Sequence, residues 1–400
     1  MRVATVNLYN TSLNGILQAQ QHVEKANEQL VTNKRLLQAA DGPADMSEKM
    51  ALDTDINQNA QYRKNGVYLE NSLSFQENII NSMHDSALRA RVLGVQSGDG
   101  LNGMNERRSI AEELTQLRGQ MADLVNTRDA NGDYVFAGFQ SQIQPYVFDG
   151  KWYHYVGDNG KTRLKVGSSV YIQSNTTGKE AFEDVALRRR AAGNSKGIYV
   201  AVNEQKTFDT FYKNNYHGVN LADNTFTVST SAGNPNQYTI TNNQGEKLAE
   251  GDYTQGKPFL FKGLKIKLDS DPGTTETFTL QPPEKDNILN ILGRFIKVLK
   301  DPNIIGKDYD KAQEDFLVGI DHSTEKMNLT MGSIGARENG LNSLMNASSS
   351  IDVINKKSRA SIGEVDFAKA VTDLSKAELA LNTSYSAYSK ISKMTLFNYI

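Results

Sequence analysis

The stretch YNTSLNGILQAQQHVEKANEQLVTNKRLL, residues 9–37, sets Tyr9, Ile16, Val23, Leu30 and Leu37 seven residues apart. Ser12, Ala19, Ala26 and Asn33 lie between them. The other end of the chain repeats the pattern in FAKAVTDLSKAELALNTSYSAYSKISKMT, residues 367–395. There Phe367, Leu374, Leu381, Tyr388 and Thr395 keep the same period, interleaved with Val371, Glu378, Tyr385 and Ser392. A seven-residue repeat keeps one stripe of a helix facing a partner helix as the two supercoil. Each stripe is only half apolar. Burying a large apolar side chain contributes about 1.5–3 kcal/mol, whereas ordering each residue's backbone costs about 1–2 kcal/mol. The spacing therefore predicts terminal helices that pack on each other and take further apolar cover from neighbouring subunits. Ile16, Val23, Leu30, Phe367, Leu374, Leu381, Tyr385 and Tyr388 form the expected assembly seam. Amphipathic helices more commonly face a private globular core. These stripes, however, lie at the chain ends, where fraying concentrates, and are polar for a core.

The rest of the chain divides by composition. Of its 400 residues, eight are proline, and none of these falls in 44–144 or 303–400. Proline in a helix interior costs about 3 kcal/mol, so both stretches have room for long helices. Asp41-Gly42-Pro43 breaks the first helix and starts the next. Apolar residues at three- and four-residue spacing then run from Tyr62 to Ala90, and again from Ile110 to Val125. Residues 98–103 separate these two helices. Beyond the middle, Ile288–Leu299 and Phe316–Met331 read as shorter helices, with a longer one from about Leu341 to the end. The middle differs chemically, with 21 of the 33 aromatic residues between Tyr134 and Phe278. Alternation in 225–228, 237–240, 264–268 and 277–280 predicts half-buried antiparallel strands. Lys151–Val156 and Arg163–Val166, joined through 157–160, read as a hairpin, while 174–220 carries mainly turn signals. The fold class is α+β and multidomain, with coiled-coil-like helical arms from both termini around an inserted β-rich domain.

Lys and Arg number 44 against 46 Asp and Glu, a net charge of −2 that predicts no nucleic-acid or membrane-surface footprint. The chain has no cysteine, which excludes disulfides, thiolate metal sites and Cys nucleophiles. No run of 18 apolar residues is present, and the opening residues lack the apolar core of a cleavable signal peptide. Gly98–Gly103 fits GxGxxG but follows a helix instead of a strand. Gly251–Lys257 has P-loop spacing, but Pro258 stands where a metal-binding Ser or Thr is required. Asp129–Asp133 resembles the opening of a calcium loop but lacks its glycine and its bidentate Glu. The five histidines are scattered, and no GxSxG elbow occurs. No catalytic, cofactor-binding or metal residue is assigned, and the chain is expected not to be an enzyme. The aromatic cluster Trp152, Tyr153 and Tyr155 suggests a glycan-binding surface as one alternative, and strand core as the more usual one.

Four segments carry a family resemblance: Met1-Arg2-Val3 with Thr5; Lys34-Arg35 followed by Asp41-Gly42-Pro43; Tyr134–Ser141; and Gly335-Ala336-Arg337 with Asn339. Asp366-Phe367-Ala368, Asp373-Leu374, Tyr385, Tyr388 and the closing Leu396-Phe397-Asn398-Tyr399-Ile400 add to the last. Together they resemble the flagellin superfamily, and more closely its hook–filament junction family, hook-associated protein 3. Gly42 departs from the usual second Asp of the turn. The resemblance implies a secreted, extracellular structural protein of the bacterial flagellum, exported unfolded with the help of an export chaperone. It implies self-association in a ring between hook-associated protein 1 and flagellin, with coupled folding of the termini. It also implies three layers: arms from 1–36 with 365–400, a helical bundle from 37–140 with 285–364, and an outer β domain from 141–284. A filament-forming flagellin is the alternative within the same class. Arg337 is expected to bond carbonyls or acids of adjacent helices, or to reach a neighbouring subunit.

Overall fold

A computed structural model describes residues 2–98, 103–233 and 236–393, and the statements below concern these. Eight α-helices are present among them: α1 (Arg2–Thr32), α2 (Pro43–Gln96), α3 (Met104–Val125), α4 (Gly178–Ala181), α5 (Gln205–Asn215), α6 (Ile288–Lys300), α7 (Lys307–Gly363) and α8 (Phe367–Lys393). The chain forms two compact units, one of Met1–Glu70, Leu164–Ile172 and Asn339–Ile400, the other of Asn71–Arg163 and Gln173–Glu338. No described helix is long and apolar enough to cross a membrane.

Local chemistry sets the helix ends. Asn33 stops α1 with φ 53°, a left-handed conformation that Asn tolerates better than most residues. Leu37 therefore lies outside the helix that its seven-residue spacing suggested. Pro43 opens α2 at the position where its missing N–H is of no consequence. Asn287 caps α6, its side chain accepting from the Asn290 amide at 2.9 Å. The sequence led us to expect separate helices over 316–331 and from 341 onward. They are one helix of 57 residues, α7, with a break at 364–366 before α8. Gly332, Gly335 and Gly340 weaken a helix by about 1 kcal/mol each relative to Ala. Packing from Ile320, Met327, Ile334 and Leu341, all buried, offsets that loss.

In the second unit the strands are β1 (Tyr146–Phe148), β2 (Tyr153–Tyr155), β3 (Arg163–Lys165), β4 (Tyr171–Gln173), β5 (Val185–Ala186), β6 (Ala191–Gly193), β7 (Ile198–Val202), β8 (Thr225–Ser231), β9 (Asn236–Thr241), β10 (Lys247–Tyr253), β11 (Pro258–Phe261), β12 (Leu264–Leu268), β13 (Thr275–Leu280) and β14 (Lys285–Asp286). Parts of β3 and β4 belong to the first unit. An antiparallel five-stranded sheet, in the order β10-β9-β8-β13-β6, shares one core with the three-stranded sheet β11-β12-β7. Phe208, Phe211 and Tyr212 of α5 enter that core. Phe226 and Phe278 stack at 5.2 Å in its centre. The alternating burial expected for β8 and β12 is present. The expected 151–166 hairpin is not formed: β2 pairs with β1, setting Tyr146 opposite Tyr155, and β3 pairs with β4. The tight turn is Asp149-Gly150, where Asp149 Oδ1 accepts the amides of Lys151 and Trp152 and Gly150 adopts φ 93°.

Phe278 is fully buried against Phe226 and Phe261. Phe278→Ala is expected to lower the opening free energy of the β8 and β13 amides by about 3–5 kcal/mol in native-state hydrogen exchange. Phe278→Leu should lower it by much less.

Candidate assembly site

Helices α1 and α8 lie antiparallel. Tyr9 meets Tyr388 with ring centroids 5.4 Å apart, and a groove beside them runs from Gly15 and Ser384 to Gln29 and Asp373. Ser12, Ile16, Ala19, Val23, Ala26 and Leu30 form the inward stripe of α1, at alternating spacings of four and three. Ala370, Leu374, Ala377, Leu381, Ser384, Tyr388 and Ile391 do the same on α8. Only Ile16, Ala19, Ala26 and Ala370 are buried; the others are half-covered. Val23, Leu30, Leu374, Leu381 and Tyr388 thus face the partner helix. Phe367 and Tyr385, expected in the seam, are 65% and 49% exposed. For Tyr385 the cause is phase: after Leu374 and Leu381 the stripe steps by three, to Ala377 and Ser384, instead of by four, to Glu378 and Tyr385. Phe367 keeps the phase of the stripe, seven residues before Leu374, but is the first residue of α8. The small residues let the two backbones approach. Leu17 and Leu379 also remain exposed, so apolar side chains lie outside the seam on both helices.

The turn between α1 and α2 is tied to the end of α7. The Arg35 amide donates to the Gly363 carbonyl at 2.8 Å, and its guanidinium donates to the Ile362 carbonyl at 2.7 and 2.9 Å. The same guanidinium reaches Asp45 at 2.5 Å, and the backbones of Lys34 and Glu364 form an antiparallel β-bridge. Asp41 accepts the amides of Leu37 and Gln38 at 3.0 Å each and pairs with Lys25 of α1. The hydrogen bond from Lys25, helped by those amides, holds the Asp41 carboxyl below the usual carboxylate range. Lys34, Arg35, Asp41 and Pro43 therefore meet in one structure, together with Lys25 and Asp45, which the sequence reading did not include. The signal for Lys25 was faint: an acid sixteen residues away, beyond a helix end.

In the second unit Arg337 donates to the carbonyls of Gln173 and Asn175 at 3.4 and 3.3 Å, and to Thr176 Oγ1 at 3.1 Å. Buried Gln76 and half-buried Ser72 of α2 hold the neighbouring Ser174 carbonyl at 2.8 and 3.2 Å. Burial lowers the pKa of the Arg337 guanidinium, with nearby acids opposing. Arg337 thus bonds carbonyls, one of its two expected uses, but those of the 173–176 segment instead of a helix. Gly335 and Ala336 sit beside it on α7 with open space around them, and the Asn339 carbonyl accepts from Ser343 within the helix. Leu396, Phe397 and Tyr399 lie outside the described residues. The Asp129–Asp133 segment is a turn in which Asp129 Oδ1 accepts the amides of Asn131 and Asp133.

Because the Asp41 pKa is depressed by folding, its contribution is present in full above the ordinary value near 3.8 and is lost as pH falls through the folded value. Amides of residues 33–45 are expected to lose exchange protection at acid pH below that point. In Asp41→Asn this acid-induced step should disappear, as read by hydrogen exchange across pH 2–6.

The N-terminal helical region of bacterial flagellin matches residues 3–141, and the C-terminal helical region matches residues 317–400, together more than half of the chain. Flagellar hook-associated protein 3 of Escherichia coli is 28% identical over 186 residues, 46% of this chain and 58% of that protein. The chain thus spans little more than half the length of that relative. Flagellin B of Vibrio anguillarum is 22% identical over 388 residues, 89% of this chain and 93% of its own. In fold, the chain is similar to flagellar hook-associated protein 3 of Legionella pneumophila (TM-score 0.56, 20% identity, 77% and 97% covered). It is likewise similar to FlgL of Xanthomonas campestris (TM-score 0.52, 19% identity, 74% and 99% covered). With flagellin helical regions at both ends and this fold between them, the chain belongs to the bacterial flagellin superfamily, with a fold of the hook-associated protein 3 type.

Proposed function

We propose that this protein is a structural subunit of the bacterial flagellum that forms the junction ring between hook-associated protein 1 and the flagellin filament. The observation that carries this reading is the thin α1–α8 seam, with Leu17, Leu379, Phe367 and Tyr385 left exposed beside it. A two-helix pair with four buried side chains has a small hydrophobic gain to set against the entropy of ordering both helices. Neighbouring copies would cover the exposed residues, so ordering and assembly are one step. The relatives named hook-associated protein 3 support the junction role over other flagellar positions.

In this reading, 1–36 with 365–400 form the inner arms, 37–140 with 285–364 the helical layer, and 141–284 the outward domain. The chain is secreted to the extracellular flagellum in unfolded form, escorted by an export chaperone. It acts without catalysis, as its relatives are structural components. The extended match to flagellin B favours one second reading, a filament-forming flagellin. Purified junction protein is expected to stay in small rings or monomers, whereas a flagellin would polymerise into long filaments, which electron microscopy distinguishes.

Hydrogen exchange of the free monomer is expected to show little protection across 5–35 and 366–393, and strong protection once it joins hook-associated protein 1 and flagellin. Strong protection in the monomer would contradict coupled assembly. Leu381→Asp puts a charge into the half-covered seam and is expected to abolish filament growth on cells while leaving exchange in β8 and β13 unchanged.

A further inference from the structure

The second unit holds a cavity of about 490 Å³ between β2, the α4–β5 segment and the start of α6. One wall is aromatic: Trp152, Tyr153 and Tyr155. Lys179, Glu183 and Asp184 contribute polar lining. The size lies in the range of small-molecule sites.

The aromatic wall is fixed before any ligand arrives. The Tyr155 hydroxyl bonds the Phe136 and Asp158 carbonyls at 3.0 and 2.8 Å, and its ring lies 5.3 Å from that of buried Tyr146. The Tyr153 carbonyl accepts from Asn287 and Asn290, and the Arg118 guanidinium sits 4.8 Å from its ring. Lys297 lies 4.2 Å from the Trp152 ring centre. All three residues are half-covered, held in place yet partly exposed.

The polar lining has unused bonding capacity. Glu183 Oε1 is buried and without a hydrogen-bond partner among the described residues. Such an orphaned acceptor is costly unless something donates to it. Burial most of all, and the neighbouring Asp286 and Asp184, raise the Glu183 pKa against the opposing pull of the nearby Asn287 amide and Tyr146 hydroxyl, whose own bonds go to the Tyr153 and Gly178 carbonyls. Asp184 holds φ 56°, a strained conformation for a residue other than glycine. The charges in the cavity wall balance, with Lys179, Lys285 and Arg294 against Glu183, Asp184 and Asp286, and Arg294 and Asp286 form an ion pair. A strongly charged ligand finds no net attraction there. A neutral polyhydroxylated ring fits: its C–H face lies on the aromatic wall, and its hydroxyls donate to the carboxylates and accept from the lysines.

We propose that this cavity is a binding site for a neutral saccharide unit. The inference is independent of the junction role and requires no assembly.

Trp152 is the sole tryptophan of the chain, so its fluorescence reports on the cavity directly. The full-length protein is titrated with maltose, cellobiose, lactose and chitobiose as neutral probes, and with sialyllactose and citrate as anionic ones. A saturable change in Trp152 emission is expected with at least one neutral sugar and none of the anions. Asp184→Gly relieves the backbone strain and removes one carboxylate, so it keeps the fold. It should weaken binding at least fivefold, and Glu183→Gln at least tenfold, each with an unchanged circular dichroism spectrum. No saturable response to any neutral probe, a response to the anions alone, or equal binding by both variants would overturn the proposal. If Glu183→Gln does not fold, Asp184→Gly and the exposed Lys179→Met decide it by the same criterion.

Discussion

A chain whose two ends must work as one needs a point where they are tied, and Arg35 supplies it. Its backbone and side chain together hold the Ile362 and Gly363 carbonyls at the end of α7, while Asp45 balances its charge from the first turn of α2. The carbonyls at a helix C-terminus lack intrahelical partners and carry partial negative charge, so a guanidinium there satisfies both needs at once. From this tie α1 and α8 extend side by side, antiparallel in chain sense. The seam between them follows from it: two helices launched together need only weak, small-residue packing to stay paired. A lysine could not replace Arg35, because one ammonium lacks the planar fork that reaches a carbonyl and a carboxylate together.

Much of this arrangement was legible in the sequence. The seven-residue stripes marked the helices that pair, Pro43 marked the start of α2, and the alternation in 225–228 and 264–268 marked core strands. The errors share a cause, since each concerned a choice between two patterns that satisfy the same local rule. Both Ala377 and Glu378 lie within a helical step of Leu374; only the direction from which α1 approaches selects the alanine. In α7 the expected gap between 331 and 341 is helical despite glycine at 332, 335 and 340, because tertiary burial of Ile334 and Leu341 outweighs helix propensity. In the β region, the loop at 157–160 competed with Asp149-Gly150 as the turn, and the shorter Asx-stabilised turn formed.

The site residues divided similarly. Asp41 and Arg35 stood out by resemblance, yet their partners Lys25 and Ile362 did not, because a backbone carbonyl leaves no trace in residue identity. Arg337 shows the same limit. Its bonds go to the Gln173 carbonyl at the end of β4, and to the Asn175 carbonyl and Thr176 within the stretch that carried mainly turn signals. Irregular backbone has peptide groups with no ladder to pair them, and a buried arginine with five donors is suited to satisfying several at once.

The two units differ in how their polar and apolar groups are covered, and that difference orders their stability. In the second unit Phe226, Phe278, Leu264 and Ile266 are fully enclosed, and strands that are distant in sequence hold one another. Opening any part of it exposes large apolar area and breaks ladder bonds together. In the arms, the buried positions are mostly alanines, and the leucines of the seam stay half in water. Local opening there exposes little that is not already exposed, so it lies at the low end of the range of opening free energies. The proposed coupling of arm ordering to assembly needs this separation of stabilities. The small residues that weaken the isolated seam also let the helices come close, leaving a groove lined by Gly15, Ala19, Ala26, Ala377 and Ala380 along the pair. The composition that keeps the arms marginal alone is therefore the same one that makes them close-packing when covered.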